Sequence, residues 1–75
     1  MVVTKLPEKQ GIIGTREIAK AVREGKVTRV IVAANCPISL RERVGSVAVE
    51  EFDGDAKQLG TKLGKPFSVA MVGYA

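Results

Sequence analysis

The stretch Val27-Thr28-Arg29-Val30-Ile31-Val32-Ala33-Ala34 decides the fold. It is β-branched and nearly all apolar, with Arg29 the charged exception, and it reads as a central strand covered on both faces. The flanking sequence supplies the cover. Upstream, Gly14-Thr15 opens the clearest helix: Thr15 is a good N-cap, Ile18, Ala21 and Val22 recur at helical spacing, and Gly25 is the natural stop. Downstream, Asn35-Cys36-Pro37 breaks the strand. Ser39 followed by Glu42 spells a capping box, Leu40 and Val44 lie one helical turn apart, and Gly45 ends this short helix. Val47, Val49 and Phe52 then suggest a second strand, and Asp53-Gly54 a turn. Asp55 caps a helix from Ala56 to Leu63, Gly64 stops it, and Pro66 prevents its resumption. Phe67 to Val72 forms the last strand. Ile12-Ile13 is a brief strand ending at Gly14. Within residues 1–11, Val2, Val3 and Leu6 belong either to an edge strand or to a mobile tail, interrupted by Pro7 and Gly11. The order α, β, α, β, α, β predicts an α/β layered sheet with helices packed on its faces.

Seventy-five residues, 45% apolar and 27% charged, make one small globular domain over residues 1–75. A chain this short buries about 60% of the surface its unfolded form exposes, so the core is modest. Aromatics are limited to Phe52, Phe67 and Tyr74, which leaves the core to Val, Ile, Leu and Ala. The absence of histidine excludes His-based triads and His-ligated metals, and the lone Cys36 excludes an internal disulfide and a Cys-based zinc site. Cys36 has no base to activate it and reads as a packing thiol. Glu50-Glu51 and the Asp53/Asp55 pair are accounted for by turn and cap roles. The expectation is therefore a protein that is not an enzyme, with no cofactor, metal or small-molecule substrate. The longest apolar run, Val30 to Ala34, is far too short to span a bilayer. No signal peptide is read, and an unstapled domain of this size is expected inside the cell.

Twelve Lys and Arg against eight Asp and Glu leave a net charge of +4, which favours polyanionic partners through counterion release. On the first helix Arg16, Lys20 and Arg23 follow one another at i, i+4 and i+7, with Glu17 and Glu24 interspersed along the same stretch. One reading is a solvated face of alternating charge. The other uses position. Arg16 stands in the first turn, beside open backbone N–H groups and the positive end of the helix dipole, which suits a phosphate. A cation there is unfavourable by ~0.3–1 kcal/mol, and a bound anion offsets it. A second candidate is the turn around Gly64, flanked by Lys62 and Lys65. Gly60, inside the preceding helix, costs about 1 kcal/mol relative to Ala, which calls for a packing or close-approach reason. Neither turn has the spacing of a P-loop or a dinucleotide fingerprint.

An ordered set of segments resembles a known family. Gly14-Thr15-Arg16-Glu17-Ile18-Ala19-Lys20-Ala21, Gly25-Lys26-Val27 and Val30-Ile31-Val32-Ala33-Ala34-Asn35-Cys36-Pro37 are similar to the kink-turn RNA-binding superfamily of archaeal and eukaryotic ribosomal proteins. Ala33-Ala34-Asn35-Cys36-Pro37 points to the branch of large-subunit ribosomal protein thirty. Glu51-Phe52-Asp53-Gly54, Leu59-Gly60-Thr61 and Leu63-Gly64-Lys65-Pro66-Phe67-Ser68-Val69 fall in the same order. The segment from Ile38 to Ser46 is shorter than in that family. The resemblance implies a three-layer α-β-α sandwich with a small mixed sheet and helices on both faces. It also implies binding to sharply bent RNA through a loop and helix start holding Gly14, Thr15 and Arg16. Phe67 matches an aromatic that contacts RNA in this branch.

The expectation is a ribosome-associated, cytoplasmic protein on structured ribosomal RNA, beside neighbouring ribosomal proteins and away from membranes. Arg16, Lys20, Lys62 and Lys65 contact phosphates, and the amides of Gly14 and Thr15 and the approach at Gly60 seat the backbone. Phe67 stacks on a base and Glu17 accepts from a base amino group. The rival is a protein-interaction subunit of a ribonucleoprotein, with the same fold and no direct RNA contact.

Overall fold

The computed structural model describes residues 2, 3, 6, 11–44 and 47–75. Its strands are β1 (Val2–Val3), β2 (Ile12–Ile13), β3 (Arg29–Val32), β4 (Ala48–Phe52) and β5 (Met71–Tyr74), and its helices are α1 (Thr15–Arg23), α2 (Ile38–Glu42) and α3 (Ala56–Lys62). The sheet order is β1-β4-β3-β5-β2. The β1–β4 and β3–β4 pairs are parallel, and the β3–β5 and β2–β5 pairs antiparallel, so the sheet is mixed. The apolar run is its middle strand, as the sequence predicts, and Val30, Ile31 and Val32 are fully buried.

Side-chain alternation along β3 builds two cores. Val30 and Val32 face α1 and α2, packing with Ile18, Ala21, Val44 and Leu40. Ile31 and Ala33 face α3, packing with Leu59, Phe52, Val72 and Tyr74. Helices thus cover both faces, giving the expected three layers. Each fully buried Leu, Ile or Val in these cores contributes about 1.5–3 kcal/mol. Cys36 is a buried member of the first core, as its reading as a packing thiol requires.

Both longer helices close as their glycines predict. At the end of α1, Gly25 N–H donates to the Val22 carbonyl (3.1 Å) and Lys26 N–H to that of Ala21 (2.8 Å). At the end of α3, Gly64 N–H donates to Thr61 (3.0 Å) and Lys65 N–H to Gly60 (2.9 Å). These paired bonds are Schellman closures. Asp55 caps α3 as expected: its carboxylate accepts from Gln58 N–H (2.9 Å), and the Gln58 side chain accepts from Asp55 N–H (2.9 Å).

Several boundaries differ from expectation: the central strand is confined to Arg29–Val32, and the last strand runs on to Tyr74. Ser39 and Glu42 form no capping box; Pro37 stands at the N-cap of α2, and its carbonyl accepts from Leu40 (3.1 Å) and Arg41 (3.3 Å). The extended proline starts the helix ahead of Ser39. Thr15 is the first residue of α1, and Gly14, with φ +104°, is the N-cap. The last strand begins at Met71, four residues later than Phe67. The intervening segment is engaged by α3: a Cβ on Gly60 would overlap the Phe67 carbonyl, and Val69 N–H donates to the Ala56 carbonyl (3.0 Å). Only at Ala70, whose carbonyl accepts from Ala33 N–H (2.8 Å), does the chain reach the sheet. Gly45 and Pro7 lie outside the described residues.

Candidate nucleic-acid interface

The turn Gly14-Thr15 joins edge strand β2 directly to α1. A φ of +104° at Gly14 is a backbone conformation that L side chains rarely adopt, so glycine is what allows so abrupt a turn. Gly14 carbonyl accepts from Ile18 N–H (2.9 Å), which starts the helical ladder. No side chain caps this end. The first-turn amides therefore point outward at the positive end of the helix dipole. The start of α3 is different. Asp55 occupies one amide there, and Asn35 Oδ1 accepts from Ala56 N–H (2.9 Å). Among the described longer helices, α1 alone leaves its N-terminus uncapped by a side chain.

The β5-leading segment passes beside that turn. Gly14, Thr15, Phe67, Ser68, Ala70 and Met71 line one groove of about 260 Å³, floored in part by Ile13. Two segments some fifty positions apart in sequence, at Thr15 and at Phe67, thus meet. Phe67 is 56% exposed, an unusual state for a phenyl ring on a segment fixed by backbone contacts on both sides. Glu17 lies beside the turn, its Cγ 3.9 Å from where a Cβ on Gly14 would stand.

The remaining candidates are distributed. Arg16 is exposed and, with Thr15, lines an adjoining cleft of about 370 Å³ whose other walls are Ala19, Arg23 and Arg43. Thr15 belongs to both hollows. Lys20 and Lys65 are exposed and line neither. Lys62 is on a different hollow of about 570 Å³ with Phe52, Asp53, Lys57 and Thr61. Gly60 is buried, its missing side chain occupied by the Phe67 carbonyl. Helical spacing places Arg23 on the Arg16 face without assigning it a site. Nothing in the sequence signals Arg43, whose position depends on how α2 packs.

Charge pairing sharpens the picture. Among the described residues the ion pairs are Lys26–Glu24 (3.7 Å), Arg29–Glu50, and Arg41–Glu51 (3.5 Å). None involves Arg16, Lys20, Arg23, Arg43, Lys62 or Lys65. No group of three or more His, Cys, Asp or Glu among the described residues is arranged to hold a metal, and no described helix is long and apolar enough to cross a membrane.

The fold recurs in solved structures. A Bacillus halodurans protein with unknown function superposes with a TM-score of 0.73 at 28% identity, over 87% of this chain and 70% of that one. The Giardia lamblia 15.5kD RNA binding protein superposes with a TM-score of 0.68 at 19% identity, over 87% and 59% of the two chains. Residues 2–74 match the model of the Ribosomal protein L7Ae/L30e/S12e/Gadd45 family, and the chain belongs to that family. Curated relatives named large ribosomal subunit protein eL30 are 39% identical in Methanoregula boonei and 40% identical in Archaeoglobus fulgidus. The matches cover 79% and 77% of this chain, and 64% and 70% of the relatives. The chain thus spans just under two-thirds of the length of the Methanoregula protein. The branch suggested by Ala33-Ala34-Asn35-Cys36-Pro37 is the one these relatives' names carry.

Proposed function

We propose that this chain is a ribosomal RNA-binding protein that seats structured RNA on the turn between β2 and α1. The observation that carries the reading is the single groove formed by Gly14, Thr15 and the exposed Phe67 in a chain of this family. The open amides of the α1 first turn take a phosphate, and Arg16 neutralises it from the adjoining cleft. Phe67 stacks on an unpaired base, a contact worth about 1–3 kcal/mol, and the groove behind it supplies an apolar floor. Glu17, beside Gly14, accepts from a base amino group. Gly60 contributes indirectly, by letting α3 hold the Phe67 segment in place. Lys20, Lys62 and Lys65 widen the cationic surface, which steers association and adds salt-dependent affinity. The RNA is sharply bent, so that a base reaches the groove while its backbone crosses the turn. In the cell the chain sits in the cytoplasm on the ribosome, next to neighbouring ribosomal proteins, and serves as a binding protein with no catalytic step.

The test is titration of the chain with a kink-turn RNA and with a straight duplex at several salt concentrations. Preference for the bent RNA is expected. Phe67→Ala should weaken binding by about 1–3 kcal/mol with the salt slope unchanged, and Arg16→Ala should reduce the slope by about one unit. Equal, weak affinity for both RNAs would remove shape recognition. A chain purified without nucleic acid and binding neither would favour the protein-interaction role.

A further inference from the structure

We infer that the cleft between the flank of α1 and the end of α2 is a second seat for RNA phosphate, with Arg23 and Arg43 as its cations and Arg16 at its border with the Phe67 groove. The inference rests on the RNA-binding reading and extends it to residues that reading does not use.

Three arginines, Arg16 and Arg23 from α1 and Arg43 just past α2, line one hollow of about 370 Å³, and no carboxylate among the described residues lines it. All three are exposed, and like charges around a shared space repel one another as far as water and salt allow. Proteins commonly relieve such a cluster with acids, and this chain does so nearby. Arg41, two residues before Arg43, pairs with Glu51 at 3.5 Å. Glu24, next to Arg23, is engaged by Lys26 at 3.7 Å. Arg16, Arg23 and Arg43 have no ion pair among the described residues, although Glu17 and Glu42 are chain neighbours of Arg16 and Arg43. The convergence is built by packing. Val44 is 1% exposed and Leu40 partly buried, both against the Ile18 and Ala21 face of α1. Anchoring the residue after Arg43 in the core fixes where Arg43 leaves the helix.

The chemistry of the walls selects the ligand. Arginine presents a planar fork of donors that pairs bidentately with phosphate oxygens, and it is less strongly hydrated than lysine. Thr15 adds a hydroxyl at the border, and Ala19 leaves room between the arginines. No aromatic or amide side chain among the described residues lines the cleft, so nothing there reads a base. That composition suits a phosphodiester backbone rather than a free nucleotide. Because Thr15 borders both hollows, one RNA can place a base against Phe67 and carry its backbone across Thr15 into the arginine cleft.

The test compares the full chain with Arg23→Ala/Arg43→Ala, Arg23→Lys/Arg43→Lys, Arg43→Gln and Phe67→Ala. Each is titrated with an archaeal large-subunit ribosomal RNA transcript over a sodium chloride series, with thermal unfolding recorded alongside. The double alanine variant should lower the salt slope by between about one and two units at unchanged unfolding temperature, and Arg43→Gln by about one unit. The double lysine variant should keep most of the slope, and Phe67→Ala should keep all of it. A double alanine variant that folds and retains the wild-type slope overturns this inference while leaving the Phe67 groove intact. Polyglutamate binding that is lost in that variant, with the RNA slope unchanged, would reassign the cleft to an acidic protein segment and also overturn it. A wild-type chain that does not bind RNA overturns the underlying reading and this inference together.

Discussion

Tyr74 is the chain's one tyrosine; it is 2% exposed, and its hydroxyl has no hydrogen-bond partner among the described residues. Burial raises its pKa above the ordinary phenol value, because the phenolate would lose water, and the nearby Arg29 charge offsets this only in part. Since the folded pKa lies above the unfolded one, the unfolded chain releases the proton first as pH rises. The neutral ring's contribution to stability is therefore complete below the ordinary phenol range and is lost as pH climbs through the folded value. Tyr74→Phe should remove that alkaline loss. It should also raise neutral stability by about 1 kcal/mol, because a buried hydroxyl without a partner costs about that much. With no second tyrosine and no tryptophan, tyrosinate absorbance in folded and urea-unfolded protein reads both pKa values directly. Equal values in the two states would show that Tyr74 is not desolvated. At Gly60 steric exclusion is the issue. A Cβ there would overlap the backbone carbonyl of Phe67, which cannot rotate away as a flexible side chain would. Gly60→Ala should cost about 3 kcal/mol, at the upper end for overpacking. Gly25, with φ +74° but open space where a methyl group would stand, is the control: Gly25→Ala should cost about 1 kcal/mol from backbone conformation alone. Chemical denaturation of both variants separates the two mechanisms.

The three helices are short, nine, five and seven residues in α1, α2 and α3, so their ends carry much of their stability. At the start of α3, Asp55 serves the Gln58 amide and Asn35 serves the Ala56 amide. Asp55→Ala and Asn35→Ala should each lower stability by about 1 kcal/mol, measured by urea unfolding, because each strands a different helix-end donor. Neither should change RNA affinity at temperatures where the variants are folded. An affinity loss in Asn35→Ala would mean that α3 positions the site more tightly than its contacts suggest. The same pair marks what is readable from sequence. Asp55, three residues before Gln58, is a local signal and is legible. Asn35, twenty-one positions from its partner, reads only as a strand breaker until the strand ends bring it to α3. The central strand is legible because burial on both faces leaves an unbroken apolar run. The start of β5 is not, since Phe67, Val69 and their neighbours have strand-like composition but pack against α3, where the Phe67 carbonyl abuts Gly60 and Val69 N–H donates to Ala56. The N-cap of α1 falls one residue before its expected place for a related reason. Thr15 has the right chemistry to cap, and Gly14 has the backbone freedom that makes the turn.

Among the described residues, acids pair with Arg29 and Arg41 along β4, while the unpaired Arg16, Arg23 and Arg43 line one cleft beside α1 and Lys62 and Lys65 stand apart at the end of α3. Helix spacing makes Arg16, Lys20 and Arg23 visible in sequence, and the family resemblance links Thr15 with Phe67. The Arg43 contribution is invisible there, because it follows from Val44 being buried against α1, a tertiary fact without a local pattern. Such an arrangement couples binding to stability. A chain of 75 residues has a small core, so its stability margin is small. An RNA that binds only the folded chain must raise the unfolding temperature by mass action. At an RNA concentration of about 100 times Kd the gain is ~2.7 kcal/mol, which for a domain this size shifts Tm by on the order of 10 °C or more. The shift should shrink steadily with salt and be nearly gone in about 1 M sodium chloride, where counterion release no longer favours the complex. Heparin, a polyanion without bases, should give a smaller shift than RNA in the wild-type chain. In Phe67→Ala the gap between the two shifts should narrow, because the stacking contact that heparin cannot make is gone. Thermal scans of both chains with both polyanions measure this. A gap as wide in Phe67→Ala as in the wild-type chain would place base stacking somewhere other than the groove beside Thr15.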